Sequence, residues 1–532
     1  MAEAKTTRTR STRSRSAAKA PQSLKSMDPR TGEARGEIQA TDPAEVAEIV
    51  AQARKVAPEW AAISPEGRAR ILREVRFHMY ELMDEIVDTV AAETGKPKAE
   101  ALAHDFVPPM LMLAYLERLA PKVLRPKRVG PIIGPIMGMS SRMEWRPFGV
   151  VGCITPWNFP IQNSFLAFAS PLFAGNVVVI KPSEVTPASG ELLRKILEPL
   201  PSGVATVIQG GGDVGAALVD APVDKVSFIG SPRTGRLICA AAAKHLTPVV
   251  MELGGKDAAV VTKDVDIDLA SSGILWGAFA NAGQICASIE RAYVVDSVAD
   301  EFQDQLLKKL ETVKQGEDFG SLTFKPQLDI VGKQVDDAVK KGAHLLAGGS
   351  DTGKKNSNGS LWYSPTVITD VDEDMTILHD ETFGPVLTIV RVRDEDEAVR
   401  RANEDGVNLT ASVWTKDKAT RERVSSQLKA GTVTTNMHVE GAAAPWGSWG
   451  GVGESGFGRV NGEAGLREFS VPVHVARASM PMKRAVWYPY DSASEGIFRG
   501  AAEFLGQREI GKKMSALKGI VGSFLKAGKT RL

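Results

Sequence analysis

The spacing of hydrophobic positions changes along the chain. Residues 42–56 and 64–93 place apolar side chains at three- and four-residue spacing, which predicts two amphipathic helices capped by Asp42 and Ser64. From about residue 143 onward, continuous apolar runs alternate with helical patterns, as is typical of buried parallel strands. The predicted strands are 150–154, 177–180, 205–208, 225–229 and 248–251, followed by 258–261, 292–295, 386–392, 411–414 and 432–435.

Two successive alternations of this kind predict an α/β fold with two domains, each a parallel sheet with helices on both faces. Helices are expected at 236–245, 296–314 and 395–404, and a glycine-rich loop is expected at 447–458. Residues 149–180 carry no formal charge over more than the roughly 20 residues that a spanning helix needs. Three prolines and four amide side chains in that run exclude a membrane span.

The charges are distributed unevenly. The 532 residues include 65 Lys and Arg and 64 Asp and Glu, but residues 1–27 and 483–532 are both strongly basic, so the body between them is acidic. An acidic body disfavours nucleic-acid binding, which needs a basic folded face. Residues 1–27 have almost no apolar side chain other than alanine, which predicts a disordered basic tail.

The three cysteines cannot form a disulfide framework for a chain of this length, and none has metal-binding spacing. We therefore expect no metal site and a reducing, cytoplasmic compartment. Cys153 in a predicted strand and Cys239 on an alanine-rich helix are best explained by packing. Cys286 lies among small and polar residues at a predicted helix start, where the helix terminus would lower the thiol pKa, and it is the candidate nucleophile.

Two segments at predicted strand ends could bind a nucleotide. Residues 230–235 form a glycine-bounded turn before a helix, which suits a pyrophosphate, although such turns more often serve tight packing. Lys181 could reach a ribose or a phosphate, and Glu184 could accept hydrogen bonds from ribose hydroxyls. A carboxylate there would repel a 2′-phosphate, which favours NAD over NADP. The alternative is an ordinary solvated strand end.

Seven short motifs occur in order along the chain. With them, the sequence resembles the NAD(P)-dependent aldehyde dehydrogenase superfamily over residues 28–477. The motifs are PWNFP (156–160), KPSE (181–184), FIGS (228–231), MELGGK (251–256), GQIC (283–286), ETFGP (381–385) and SGFGR (455–459).

The resemblance implies the chemistry of the site. Cys286 would attack the aldehyde carbonyl, and the Asn158 amide with the Cys286 backbone N–H would hold the oxyanion. Hydride transfer would leave a thioester, which water activated by Glu252 would hydrolyse. Lys181 is also placed among the catalytic residues. The residues expected around NAD, with NADP as an alternative, are Thr155, Trp157, Lys181, Ser183, Glu184, Gly215, Gly230, Ser231, Gly235, Leu253, Glu381 and Phe383.

The resemblance also implies a domain organisation. A Rossmann-like NAD-binding domain would comprise residues 28–125 and 146–252, and the catalytic α/β domain would comprise 253–445. A β oligomerisation arm and loop are expected at 126–145 and 446–477, which implies a homodimer or a homotetramer. The glycine-rich loop departs from the family pattern, because residues 445–456 include extra positions and Gly453 stands where lysine is common.

Residues 478–532 extend beyond the region of resemblance. Basic residues alternate there with apolar residues at helical spacing, which predicts a basic amphipathic helix that either contacts an anionic membrane surface or packs on protein. The segment from Trp487 to Tyr490 could anchor at the same interface or attach the extension to the body. The apolar positions are Met514, Leu517, Ile520, Val521, Phe524 and Leu525, and the basic ones are Lys513, Lys518, Lys526 and Lys529.

The sequence leaves the substrate open. An apolar tunnel for medium-chain or aromatic aldehydes would be lined by Trp446, Trp449, Phe165, Leu166 and Phe168. A semialdehyde such as succinate semialdehyde would need a cation, for which Arg291 is the candidate. A CoA-acylating enzyme and a catalytically silent interaction protein with the same fold are the alternative functions.

Overall fold

A computed structural model describes residues 23–130, 139–349, 356, 358–404, 406–438, 444–478, 487–488 and 490–530, without the side chains of 139 and 526–530. Residues 1–22 of the predicted tail lie outside this range. The prediction of disorder is wrong for residues 23–27, because Ser23–Asp28 pairs antiparallel with Glu33–Gln39. The buried Ser26 hydroxyl donates to Glu93 at 2.7 Å, a long-range contact that local composition does not reveal.

The described residues form two compact units, one within residues 23–125 and 145–472 and the other within 126–144 and 473–530. The first unit contains both large sheets. Its first sheet has five parallel strands and one antiparallel edge strand, and it matches the five strands predicted between residues 150 and 251 to within one residue at each end. The order across the sheet is Gly456–Phe457, Val249–Glu252, Lys225–Ile229, Val150–Ile154, Val177–Lys181 and Ala205–Val207.

The second large sheet has seven strands, of which only the edge strand His344–Ala347 is antiparallel. The five strands predicted from residue 258 onward are present, and one begins three residues earlier than expected, at Ile289. The edge strand and its neighbour were not predicted. The order is His344–Ala347, Thr366–Thr369, Val386–Val392, Ile289–Val295, Asp257–Val261, Thr410–Trp414 and Thr432–Thr435.

Helices cover both sheets. The helix predicted at 64–93 is two helices that meet at Leu82, and its first turn is capped by Ser64, whose hydroxyl accepts from Gly67 N–H at 3.1 Å. Asp42 caps the 3₁₀ turn Pro43–Glu45 rather than an α-helix. The α-helices of eight or more residues in this unit are Val46–Ala62, Pro65–Glu81, Met83–Thr94, Val107–Val123, Gln162–Ala174, Pro187–Ile196, Gly212–Asp220, Pro232–Ala243, Ile267–Phe279, Asp296–Leu310, Lys325–Lys340, Glu395–Ala402 and Lys418–Gln427.

The uncharged run 149–180 forms a strand, the helix Gln162–Ala174 and a second strand. Nearly every residue of this helix is buried, so the lack of charge reflects a protein core. Among the described residues, no helix is both long and apolar enough to cross a bilayer.

The second unit contains a three-stranded sheet and two helices. The strands Lys127–Val129 and Met139–Pro147 pair antiparallel, and Ser470–Ala478 forms the other edge. These strands overlap the segments expected to form the oligomerisation arm, 126–145 and 446–477, and extend to residues 147 and 478. Residues 131–138 lie outside the described residues. The helices are Ser492–Gly506 and Ile510–Thr530, and they pack against each other.

Candidate active site

Cys286 lies in a turn, not at a helix start as predicted. The preceding helix ends at Phe279, and the chain then passes through left-handed backbone at Asn281 and Ala282, with φ of 52° and 53°. Gly283 follows at φ 71°, and a Cβ there would lie 2.0 Å from the Gly384 carbonyl oxygen. This tight turn brings the half-buried thiol to the carboxyl end of the first sheet.

The expected lowering of the thiol pKa is therefore wrong. Burial raises the pKa of Cys286 well above its usual value, and the neighbouring Glu252 carboxylate raises it further. Because the thiol also hydrogen-bonds to Glu252, that carboxylate is placed to receive the thiol proton.

Glu252 ends the strand Val249–Glu252 and is 2% exposed. Burial raises its pKa from 4.5 to about 7, although hydrogen bonds from the Cys286 thiol and the Trp449 indole act in the opposite direction. The indole Nε1–H donates to Glu252 Oε1 at 3.3 Å. A carboxyl group with this pKa is half ionised near neutral pH, which suits a general base.

Asn158 is buried beside the turn that carries Cys286. Its Nδ2 donates to the Gln284 carbonyl at 2.9 Å, and its Oδ1 accepts from Asn163 Nδ2 at 3.0 Å. A side-chain amide has two N–H donors, and this geometry uses one of them within the described residues. The second can therefore serve an oxyanion on a carbon bonded to the thiol.

A buried ion pair supports the Asn158 backbone, and sequence reasoning missed it. Lys96 Nζ donates to Asp105 Oδ2 and to the Asn158 carbonyl, both at 2.8 Å. Asp105 Oδ1 in turn accepts the backbone N–H groups of Ile161 and Gln162, at the start of the next helix. Both charged side chains are at most 1% exposed. No local sequence pattern predicts this ion pair, because Lys96 and Asp105 come from different turns of the chain.

Two cavities meet at Cys286. The first, of about 800 Å³, is lined by the predicted cofactor residues Trp157, Gly230, Ser231, Glu381 and Phe383, together with Asn158 and Glu252. The second, of about 560 Å³, is also lined by Cys286. Residues of the first cavity that sequence reasoning missed are Pro156, Asn163, Ile229, Gly254, Gln327 and Ile330.

The first cavity has the features of a dinucleotide site. Ser231 caps the helix Pro232–Ala243, whose N-terminus suits a phosphate. The Trp157 and Phe383 rings meet edge to face at 5.5 Å between centroids. Glu381 Oε1 accepts Gly255 N–H at 3.2 Å, and burial holds the pKa of Glu381 well above its usual value. The residues present therefore fit a nicotinamide dinucleotide.

The remaining predicted cofactor residues lie near the same sheet edge but outside the lining of this cavity. Lys181 Nζ pairs with Glu184 Oε2 at 2.9 Å, and a Cβ on Gly215 would contact the Lys181 side chain at 3.6 Å. Gly235 packs so closely on Leu253 that a Cβ would lie 2.7 Å from it. The other two, Thr155 and Ser183, hydrogen-bond to Ser164 and to Val185 N–H. Lys181 borders neither cavity at Cys286.

The second cavity is the apolar tunnel expected from the sequence, with partly different walls. Trp449 and Leu166 line it, whereas Phe165 and Phe168 are buried in the core. Trp446 is 66% exposed and contacts Tyr115 instead. The expectation was wrong for these three, because the sequence does not show whether an aromatic side chain borders a cavity, lies in the core or faces solvent. The full lining is His104, Pro108, Phe159, Gln162, Asn163, Leu166, Ile285, Cys286, Ala287, Trp449 and Asn461.

The described lining of the tunnel contains no Lys, Arg, Asp or Glu. Burial and the nearby Lys96 lower the pKa of His104 to about 4, so this imidazole is neutral at pH 7. Three buried polar atoms of the lining have no hydrogen-bond partner in the described structure: His104 Nδ1, Gln162 Oε1 and Asn461 Oδ1.

Arg291 is not a substrate clamp. It is 1% exposed in the second sheet, and its guanidinium donates to the carbonyl groups of Lys256 and Leu378. The neighbouring Glu290 accepts the backbone N–H groups of Thr382 and Phe383, which fixes the segment that carries Phe383 at φ 50°.

The glycine-rich loop contains two short strands that the sequence did not predict. Val452–Gly453 pairs with Val407–Asn408, and Gly456–Phe457 adds to the edge of the first sheet. Gly453 has φ 60°, and a Cβ there would lie 2.5 Å from the Gly406 carbonyl oxygen. Glycine is therefore required at this departure from the family pattern.

Comparisons with known proteins show the family. A model of the Aldehyde dehydrogenase family matches residues 16–475. The 4,4'-diapolycopene aldehyde oxidase of Methylomonas sp is 35% identical over 490 residues, which cover 91% of each chain. A protein of Mycobacterium ulcerans (strain Agy99) with the provisional name succinate-semialdehyde dehydrogenase (NADP+) 2 is 36% identical over 443 residues, which cover 80% of this chain and 83% of that one.

A crystal structure of a betaine aldehyde dehydrogenase point mutant from Staphylococcus aureus, in complex with NAD+, has a similar fold. Its TM-score is 0.82 at 29% identity, and the match covers 88% of this chain and 96% of that chain. The family match over residues 16–475 includes the strands of both large sheets and Cys286. The chain therefore belongs to the aldehyde dehydrogenase family.

Proposed function

We propose that the protein oxidises an apolar, uncharged aldehyde to the carboxylic acid with NAD+ and water. The observation that carries this proposal is the meeting of the Cys286 thiol, the Glu252 carboxyl and the Asn158 amide where two cavities join. The balanced reaction converts aldehyde, NAD+ and water to carboxylate, NADH and two protons.

The first step forms the carbon–sulfur bond. Glu252 takes the thiol proton through their shared hydrogen bond, and the thiolate adds to the carbonyl carbon. The carbonyl oxygen becomes an oxyanion, which the free N–H of the Asn158 amide and the Cys286 backbone N–H stabilise. Loss of one such donor typically costs about 3 to 4 kcal/mol of transition-state stabilisation.

When bound, NAD+ would supply a hydride acceptor, and loss of the carbonyl hydrogen as hydride from the Cys286 adduct would leave an acyl thioester on Cys286. Trp157, Ser231, Glu381 and Phe383 would hold the dinucleotide in the larger cavity. Glu184 is paired with Lys181 at the same sheet edge, and its carboxylate disfavours a 2′-phosphate. We therefore propose NAD as the cofactor, with NADP as the alternative that the name of the Mycobacterium ulcerans relative carries.

Hydrolysis completes the reaction. Glu252 first releases to solvent the proton that it took from the thiol. Its carboxylate then accepts a proton from water as the water oxygen attacks the thioester carbon. The carbon–sulfur bond breaks, the leaving Cys286 thiolate regains a proton from Glu252, and the carboxylic acid loses its own proton to solvent. The pKa of about 7 gives Glu252 a substantial ionised fraction at neutral pH while keeping it basic enough to accept the proton.

The tunnel supports an uncharged substrate. Transferring a carboxylate or an ammonium group into a lining without a countercharge is costly, so succinate semialdehyde is the less favoured alternative. The apolar walls suit a hydrocarbon chain, and one relative is named for the aldehyde of 4,4'-diapolycopene. Medium-chain and aromatic aldehydes fit the same lining.

A panel of aldehydes tests the reaction and the substrate together. We expect NADH formation with decanal and benzaldehyde at a kcat/KM at least about tenfold above that with succinate semialdehyde. The carboxylate should be the product with or without CoA. An acyl-CoA product would establish the CoA-acylating alternative, and a lack of turnover with every aldehyde would favour a silent interaction protein.

We also propose that the protein is a homodimer or a homotetramer in a reducing compartment. The edge strand Ser470–Ala478 is mostly exposed, and an exposed edge can pair with a second copy. Cys286 must remain a free thiol for the proposed chemistry. Light scattering after size-exclusion chromatography should give two or four times the 57.0 kDa chain mass, and a monomer would contradict the first part.

A further inference from the structure

The two C-terminal helices, Ser492–Gly506 and Ile510–Thr530, form a hairpin that packs through small residues. A Cβ on Gly500 would lie 2.7 Å from the Ile520 side chain, and a Cβ on Gly496 would lie 2.4 Å from the Ser523 hydroxyl. Ala516 is 6% exposed on the same side of the second helix. The helices therefore approach closely along Ala516, Ile520 and Ser523.

The larger apolar side chains of the second helix are on a different face. Their spacing of three, four, three and one residues makes one stripe, which is rotated by about a third of a turn from the packing face. They are 39% to 66% exposed, although large apolar side chains are usually buried. The stripe consists of Met514, Leu517, Val521, Phe524 and Leu525.

Aromatic and apolar side chains elsewhere in this unit are exposed as well. Phe498 and Leu505 of the first helix are 44% and 79% exposed. Tyr490 contacts Phe498, and Tyr488 contacts Tyr490 at 4.9 Å between ring centroids. Trp487 is 55% exposed, whereas Pro489 lies outside the described residues. Tyrosine and tryptophan are the side chains that favour the interface between lipid and water.

The positive charge of the second helix indicates which kind of partner binds the apolar stripe. The second helix has five lysines and no acidic residue, and Lys518 lies beside the apolar stripe on the helical wheel. The side chains of two of these lysines, Lys526 and Lys529, lie outside the description. Two copies of this face would repel each other, whereas an anionic lipid surface attracts it.

We propose that the C-terminal hairpin docks the enzyme on an anionic lipid bilayer through the apolar stripe and the lysines of its second helix. The second helix lies along the membrane surface, with its apolar stripe toward the lipid. Within the described residues it is not apolar enough to span a bilayer. Docking holds the enzyme where an apolar aldehyde concentrates. That benefit rests on the proposed function, whereas binding to lipid does not depend on the chemistry.

Flotation of the full-length protein with vesicles tests the proposal. The vesicles contain phosphatidylglycerol and phosphatidylcholine in equal parts, and vesicles of phosphatidylcholine alone serve for comparison. We expect binding to the anionic vesicles that weakens as salt is added. The double variant Val521→Ser/Phe524→Ser should bind at least about tenfold more weakly. Leu246→Ser, at a 91% exposed leucine in the other unit, is the matched control and should bind like the unaltered protein.

Three readouts distinguish the outcomes. Circular dichroism should show an unchanged melting temperature for the double variant. Its rate of decanal oxidation without vesicles should also be unchanged. A loss of vesicle binding can therefore be distinguished from a failure of the proposed enzymatic activity. Equal vesicle binding by the double variant and the unaltered protein would overturn the proposal. A double variant of lower oligomeric mass, together with no vesicle binding by the unaltered protein, would show instead that a second copy covers the stripe.

Discussion

Replacing Glu252 with glutamine should remove the dependence of kcat on pH near neutrality. With a pKa of about 7, Glu252 is about one-tenth ionised one pH unit lower and nine-tenths ionised one unit higher. We therefore expect kcat of the unaltered enzyme to rise with pH between about 6 and 8. A carboxyl group at its usual 4.5 would give a flat profile there. Because Glu252 and Cys286 share a hydrogen bond, the apparent pKa belongs to the pair.

The size of the effect follows from the loss of a general base. Glu252→Gln cannot accept a proton, so kcat should fall by about 10²- to 10⁴-fold, and the rise near pH 7 should disappear. Glu454→Gln is the matched control, because Glu454 is an exposed carboxylate that pairs with Arg236 and borders neither cavity. It should retain the full profile.

The same substitution should stabilise the fold above neutral pH. Raising the pKa from 4.5 to about 7 means that the ionised carboxylate costs the folded state about 3 kcal/mol. This cost is absent below pH 4.5, the pKa of the group in the unfolded chain. It grows as the pH rises from 4.5 to about 7 and is complete above that value. Glutamine carries no such charge, so Glu252→Gln should melt at a higher temperature than the unaltered enzyme at pH 8 and with little difference at pH 4.

Steady-state NADH formation and thermal melting, both measured against pH, provide the assay. Three results would contradict the role of Glu252 as a general base with a raised pKa. They are a flat profile of kcat against pH for the unaltered enzyme between pH 6 and 8, a rise of kcat near pH 7 that persists in Glu252→Gln, and a lower melting temperature of that variant at pH 8. Retention of the rise by Glu252→Gln would assign the titration to another group.

Three further substitutions test other parts of the site. Asn158→Ala should lower kcat by about 10²- to 10³-fold, measured with decanal; an unchanged kcat would remove the amide from oxyanion stabilisation. Lys96→Met leaves Asp105 buried without its partner and should lower the free energy of unfolding in urea by about 3 to 5 kcal/mol. The double variant Lys96→Met/Asp105→Leu should recover part of this loss. A single variant as stable as the unaltered protein would contradict the role of the buried ion pair. Gln162→Leu removes an unpartnered oxygen from the tunnel and should raise kcat/KM for decanal several-fold, whereas a lower value would show that the amide helps to bind the chain.

The sequence alone determined most of the sheet framework. Runs such as Val150–Ile154 and Val386–Val392 are buried on both faces, so their identity as strands follows from local composition. The sequence also placed Glu252 and Asn158 in motifs that follow predicted strands, and the carboxyl ends of parallel strands meet at one sheet edge. The family resemblance, rather than this rule, assigned Cys286 to the same site. The two short strands at residues 344–347 and 366–369 were missed, and their place in the sheet is set by pairing with each other and with Val386–Val392.

The behaviour of these residues depends on contacts between distant segments. The left-handed turn before Cys286 exists because distant segments surround it, and it replaced the helix start that local pattern suggested. The raised pKa values of Cys286 and Glu252 come from burial, which depends on what covers the sheet edge. Likewise, only long-range contacts assign Arg291 to the core and Lys96 to Asn158. Local pattern specifies which segments form elements, whereas solvation and pairing of a charged group depend on neighbours far away in the chain.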